Sequence, residues 1–141
     1  DAAEDISVLA EVTQSSLWAG LAQARVGRHL SDIGHGVEEC IRGAGGYGIV
    51  EEYVGHGIGS QMHMHPPVPN YGRPGRGPRL KAGMALAIEP MVTMGTANVQ
   101  VLEDQWTVVT SDGAAAAHWE HSVAITDDGP WVLTSLEGTR L

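Results

Sequence analysis

Apolar positions in the first part of the chain recur at helical spacing. Ile6, Leu9, Thr13, Leu17 and Leu21 form one stripe behind a polar start. This predicts a helix that Asp1 or Asp5 caps or charges at its N-terminus and that ends near Gly27. Leu30, Ile33, Val37 and Ile41 form a second stripe, with Ser31 or Asp32 near its start and Gly43-Ala44-Gly45-Gly46 to stop it. From Gly48 the pattern shortens to extended pieces at 49–54, 84–94, 99–102, 107–110, 118–126 and 131–134. Asp127-Asp128-Gly129 and Ser111-Asp112-Gly113 are turn signals, so antiparallel pairing is predicted. Two helices followed by a run of strands place the chain in the α+β class. No repeat, low-complexity linker or internal boundary divides it, and 1–141 reads as a single domain.

Composition narrows the picture. A chain of 141 residues with 43% hydrophobic content can bury a real core. Eight Lys and Arg against 17 Asp and Glu give a net charge of −9, which argues against general nucleic-acid binding. The lone Cys40 excludes an internal disulfide and fits a reducing compartment; beside the second helical stripe it reads as an inert thiol. No apolar run approaches the roughly 20 residues of a membrane span, and the start does not resemble a signal peptide, so a cytoplasmic location is expected. Arg73, Arg76, Arg79 and Lys81 crowd into 70–81, where proline and glycine forbid regular structure. That loop reads either as a solvated connection or as a basic patch that meets phosphate.

Candidate chemistry concentrates in Gly55-His56-Gly57-Ile58-Gly59-Ser60-Gln61-Met62-His63-Met64-His65-Pro66-Pro67, which does not have the composition of an ordinary strand or helix. His56 between two glycines suggests an imidazole that something approaches closely. A plain two-residue period puts His56 and His63 on opposite faces, so both serve one pocket only if the chain bends, which is predicted at Gly59. The plainer reading is a glycine-rich turn with solvated histidines. Downstream, Glu89 and Glu120 each stand beside apolar neighbours, where an unpaired carboxylate is expensive to bury and a metal offsets the expense. His56, Glu89 and Glu120 together make a ligand set. His35, His118 and His121 read as structural, His121 because it points away from Glu120 on a strand. Trp18, Trp119 and Trp131 read as core or edge aromatics.

Taken in order, Gly55-His56-Gly57-Ile58-Gly59, His63, Pro69-Asn70-Tyr71-Gly72, Ile88-Glu89-Pro90-Met91, Trp106-Thr107 and Glu120-His121 resemble the type I methionine aminopeptidases over nearly the whole chain. Glu120-His121 and Asn70-Tyr71-Gly72 look like this family rather than its proline-specific relatives in the pita-bread superfamily. The resemblance implies the C-terminal half of a pita-bread (creatinase/aminopeptidase) fold, two helices followed by a mainly antiparallel sheet. It implies removal of the N-terminal methionine from nascent peptides by metal-activated water, with two divalent ions, cobalt, manganese, iron or zinc, in a complete site. By the same resemblance His56, Glu89 and Glu120 are metal ligands, Glu120 bridges both ions, and Glu89 also shuttles the proton. His63 contacts the peptide and the tetrahedral intermediate, and Met62 and Trp106 line the methionine pocket. Met64 and His65 depart from the glutamate that usually follows the His63 position. The family's two metal-binding aspartates belong to an N-terminal half that precedes Asp1. The chain is therefore expected to be a catalytic-domain fragment that holds at most one ion and is not competent by itself. Its other half is then lost or supplied by a partner chain. Arg73, Arg76, Arg79 and Lys81 are expected to meet ribosomal RNA where nascent chains emerge. The competing readings are a proline-specific peptidase of the same fold and a non-catalytic remnant that acts as a binding module.

Overall fold

The computed structural model describes residues 3–141. Helix α1 spans Glu4–Leu21 and buries Leu9, Thr13, Leu17 and Leu21, the predicted stripe, while Ile6 stays 37% exposed. Asp1 lies outside the described residues. Asp5 stands in the first turn and its carboxylate accepts the Ile6 N–H at 2.9 Å, and no side chain caps Ala3, so the acid charges the N-terminus without capping it. The helix stops at Leu21 and not near Gly27. The Gly27 N–H donates to the Leu80 carbonyl and the Leu80 N–H to the Arg28 carbonyl, which draws 22–28 out of the helix to meet a distant segment.

Helix α2 spans Leu30–Ala44 and buries Leu30, Ile33, Val37 and Ile41 as its periodicity predicts. Asp32 closes its first turn by accepting the His29 N–H at 2.9 Å. The two helices pack together at Gly20, where a Cβ would sit 2.6 Å from the Val37 methyl. No helix among the described residues is long and apolar enough to cross a membrane.

The rest is antiparallel sheet: β1 Gly48–Ile49, β2 Gly55–Ile58, β3 Met64–Val68, β4 Ala85–Ile88, β5 Met91–Thr93, β6 Val99–Val101, β7 Val108–Thr110, β8 Ala116–His118, β9 His121–Thr126 and β10 Gly129–Val132. Five strands form one sheet in the order β10-β9-β4-β2-β3, three form a second in the order β1-β5-β8, and β6 and β7 form a hairpin. The core is closed by Leu17, Leu21, Ile33, Val37 and Ile41 from the helices against Val68, Leu86, Ile88, Val92, Val123 and Ile125 from the sheets. The α+β architecture matches the pattern reading, but several boundaries differ.

Of the first extended piece only Ile49 is strand, as the second residue of β1. The run 55–67, read as foreign to regular structure, is a β-hairpin: β2 and β3 pair around a turn that opens at Gly59, where the bend was predicted. Its two prolines are tolerated because β3 is the sheet's edge and needs no further ladder. The pieces 84–94 and 118–126 each divide in two. β4 and β9 lie in the five-stranded sheet, β5 and β8 in the three-stranded one. Pro90 accounts for the first break, since it has no N–H with which to continue the ladder.

Candidate metal centre

Three neighbouring strands each supply one donor. His56 comes from β2, Glu89 follows the last residue of β4, and Glu120 precedes the first residue of β9. Their ligand atoms all lie within 4.8 Å of one another, and this is the group that could hold a metal among the described residues. The glycines flanking His56 have a different purpose from the one expected. A Cβ on Gly55 would run into the Ala87 carbonyl oxygen of β4, and one on Gly57 into the His65 carbonyl oxygen of the hairpin's other arm. They admit adjacent backbone, that of β4 at Gly55 and that of β3 at Gly57.

The donor chemistry fits a divalent cation. His56 Nδ1–H donates to the Gly57 carbonyl at 3.0 Å, which leaves the lone pair on Nε2, 3.5 Å from Glu89 Oε1. His56 and Glu89 side chains are both 13% exposed. Among the described residues no Lys or Arg forms an ion pair with either glutamate. Two carboxylates and an imidazole that face one another with no Lys or Arg paired to them among the described residues form the oxygen and nitrogen set that zinc and its first-row neighbours accept.

His118, read from the sequence as structural, belongs to this cluster. Its Nε2 stands 3.4 Å from Glu89 Oε2. The hydrogen bond with Glu89 raises its pKa above the ordinary histidine value; burial opposes the rise, and the charges of Glu89 and Glu120 add to it. A usable signal existed, because His118 precedes Glu120 by two residues and alternation puts both on one face. His121 keeps its structural reading. Its Nδ1 is 2.8 Å from Thr134 Oγ1, its ring meets the edge of Trp18 at 5.4 Å, and burial lowers its pKa against the pull of Glu120. His35, on α2, joins neither group.

The bend after Gly59 brings His63 to His56, with ring centroids 4.3 Å apart and planes inclined by 46°. The two histidines, with Val54, Met64, His65 and Pro67, line an open cleft of about 360 Å³. Met64 and His65, which depart from the family pattern, are both in its wall. Met62 is 65% exposed and Trp106 87% exposed, and neither lines this cleft. Trp106 sits at the tip between β6 and β7, where Asp104 accepts the N–H groups of Trp106 and Thr107. A second cavity, of about 340 Å³, has His118 in its wall and is lined mainly by apolar side chains, among them Val50, Met91, Val99 and Val108.

The segment 70–81 is a loop, as its composition requires, but it is not loosely solvated. Glu38, Asp32 and Ser31 of α2 accept the backbone N–H groups of Gly72, Gly75 and Arg76 at 2.9, 2.7 and 2.8 Å. Arg73, Arg76 and Lys81 point their charges to solvent, while the exposed Arg79 donates to the Gly27 carbonyl at 2.7 Å. Asn70, which the sequence offered only as part of a motif, is completely buried and donates from Nδ2 to the Glu89 carbonyl at 3.3 Å.

Comparison with known proteins supplies the remaining context. The family described as Metallopeptidase family M24 matches residues 2–127. Methionine aminopeptidase 1 of Mycobacterium tuberculosis is 56% identical, over 89% of this chain and 49% of that protein. A methionine aminopeptidase of Clostridium acetobutylicum is 53% identical, over 95% and 53%. The crystal structure of methionine aminopeptidase from Rickettsia prowazekii superposes with a TM-score of 0.92 at 36% identity, covering 96% of this chain and 54% of that one. The chain spans about half the length of the curated relatives it matches.

Proposed function

Because the chain belongs to metallopeptidase family M24, we propose that it supplies metal-binding and substrate-contacting groups for removing the N-terminal methionine of nascent peptides. The observation that carries this reading is the convergence of His56, Glu89 and Glu120 within 4.8 Å. Relatives named methionine aminopeptidase, at 53 and 56% identity, support the substrate.

In this reading His56 Nε2 and the two carboxylates would hold one divalent ion, cobalt, manganese, iron or zinc, and Glu120 would also serve a second ion in a complete site. A bound ion supplies Lewis-acid polarisation of the scissile carbonyl and activation of water at neutral pH. Glu89 accepts the proton of the attacking water and passes it to the leaving amine. His63, beside His56 in the open cleft, donates a hydrogen bond to the peptide and to the oxygen that gains charge. Met62 and Trp106 present apolar surface to the methionine side chain, and their exposure of 65 and 87% leaves them available for that contact. The exposed Arg73, Arg76, Arg79 and Lys81 favour phosphate, which suits an enzyme that meets nascent chains beside ribosomal RNA.

The test is calorimetric titration of manganese into the 141-residue chain and into its His56→Ala and Glu120→Ala variants, with cleavage of a methionine-initiated tripeptide as a second readout. One ion per wild-type chain, lost in both variants, is the expected result. Binding that survives both substitutions overturns the site.

A further inference from the structure

We infer that Asn70 is a positioning residue for Glu89 and that helix α2 holds Asn70 in place for that purpose. Glu89 stands past the end of β4, between the ladder pairs Ile88–His121 and Met91–His118, and Pro90 after it has no N–H to offer, so its peptide lies in a break of the ladder. The fixing contact comes from outside the sheet: Asn70 Nδ2 donates to the Glu89 carbonyl at 3.3 Å. Asn70 is 0% exposed and its Oδ1 has no partner among the described residues. A buried acceptor left without a donor is unfavourable, and an apolar side chain would fill the same space without that penalty. Packing therefore does not explain an amide at this position, whereas its donor half does.

Asn70 is itself held by backbone contacts along one helix. Glu38, Asp32 and Ser31 accept the N–H groups of Gly72, Gly75 and Arg76. Gly34 lets α2 lie against the main chain on either side of Asn70, since a Cβ there would come within 2.6 Å of the Tyr71 carbonyl oxygen and collide with that of Pro69. Three acceptors and one missing side chain clasp 69–76 without using that segment's own side chains. The helix thus reaches the candidate metal centre through a single amide. Glu89 then offers one carboxylate oxygen to His56 and the other to His118 from a fixed backbone. The inference relies on the proposed function only for its consequence on metal affinity.

Amide hydrogen exchange in metal-free protein and cobalt binding followed by visible absorption test it together. The Val50 and Trp119 amides report on the backbone after Glu89, because they donate to the Met91 and Pro90 carbonyls. Asn70→Ala should speed exchange at both amides relative to Leu86 and Val123, weaken cobalt affinity about tenfold and shift the cobalt bands. Gly34→Ala alters no polar group and raises helix propensity, so by displacing 69–71 it should reproduce these effects and serve if Asn70→Ala does not fold. Val37→Ala, a cavity in the same helix, should lower stability while leaving the local exchange and cobalt spectrum at their wild-type values. Wild-type exchange at Val50 and Trp119 in a folded Asn70→Ala or Gly34→Ala protein overturns the inference, as does an equal effect of Val37→Ala. A wild-type chain that binds no cobalt ends the metal reading instead, and the exchange comparison alone then decides the role of Asn70.

Discussion

Glu89 and Glu120 stand opposite each other in one antiparallel register that runs through two sheets. Ile88 pairs with His121 in the five-stranded sheet and Met91 with His118 in the three-stranded one, so the unpaired residues between them face each other, Glu89 to Glu120 and Pro90 to Trp119. The Trp119 N–H, which donates to the Pro90 carbonyl at 3.3 Å, bridges the gap. Like charges set opposite in this way repel, and a divalent cation between them removes the repulsion.

Glu120→Gln keeps the shape and removes one charge. Unfolding in the presence of chelator should then show a metal-free protein more stable by up to about 1 kcal/mol, while manganese affinity falls by at least about tenfold. A lower melting temperature in chelator contradicts the repulsion, and unchanged manganese affinity removes Glu120 from the ligand set.

The two neighbouring histidines should separate by assay. His56→Ala should abolish manganese binding, because Nε2 is the nitrogen among the three converging ligand atoms. His63→Ala should leave manganese affinity at the wild-type value and weaken binding of a methionine-initiated tripeptide. Loss of metal in both variants means that His63 is also a ligand.

Gly57→Ala should destabilise the chain by about 1 to 3 kcal/mol, since the added methyl collides with the His65 carbonyl and neither strand can move without breaking its ladder. Denaturant unfolding measures it, and a variant as stable as wild type shows that the hairpin can open freely.

Asp32 gives stability with a predictable pH dependence. Burial pushes its carboxyl up, but hydrogen bonds from the Gly75 and His29 backbones, with Arg28 and His29 nearby, outweigh it and hold the carboxyl below 3.8. The folded state therefore binds its proton less readily than the unfolded one, so the contribution is complete above 3.8 and is lost as pH falls through the lower folded value. Asp32→Ala should cost about 1 kcal/mol near neutrality. Urea unfolding of both proteins should show this difference shrinking in acid; a difference that grows in acid reverses the sign.

Neutralising Arg73, Arg76, Arg79 and Lys81 should reduce co-sedimentation with ribosomes and lower the salt slope of RNA binding by about one for each side chain that meets a phosphate. Equal sedimentation of the variant and wild type removes the loop from ribosome contact while leaving its role under α2 untouched.

The legible and illegible parts of this protein divide by distance along the chain. The stripes of α1 and α2 could be read because a helix shows its buried face within a few turns. The end of α1 could not, because Leu80 draws Gly27 away through a bond between segments that share no local pattern. Pro90 could be seen as a breaker, yet nothing local told that β5 would leave for a second sheet. His118 could have been found by its two-residue spacing from Glu120, whereas Asn70 stood in a motif that gave no sign of its contact with Glu89.

The sequence by itself determined the two helices, the sheet-rich remainder and the imidazole and carboxylate character of the site, because these follow from local periodicity and side-chain chemistry. Tertiary structure alone decided that Glu89 faces Glu120, that its carboxylate reaches both His56 and His118, and that the Asn70 amide, on a segment clasped by α2, meets its backbone. Strand alternation says which residues share a face, but which strand lies opposite, and in what register, is settled by how distant segments bury their apolar faces together.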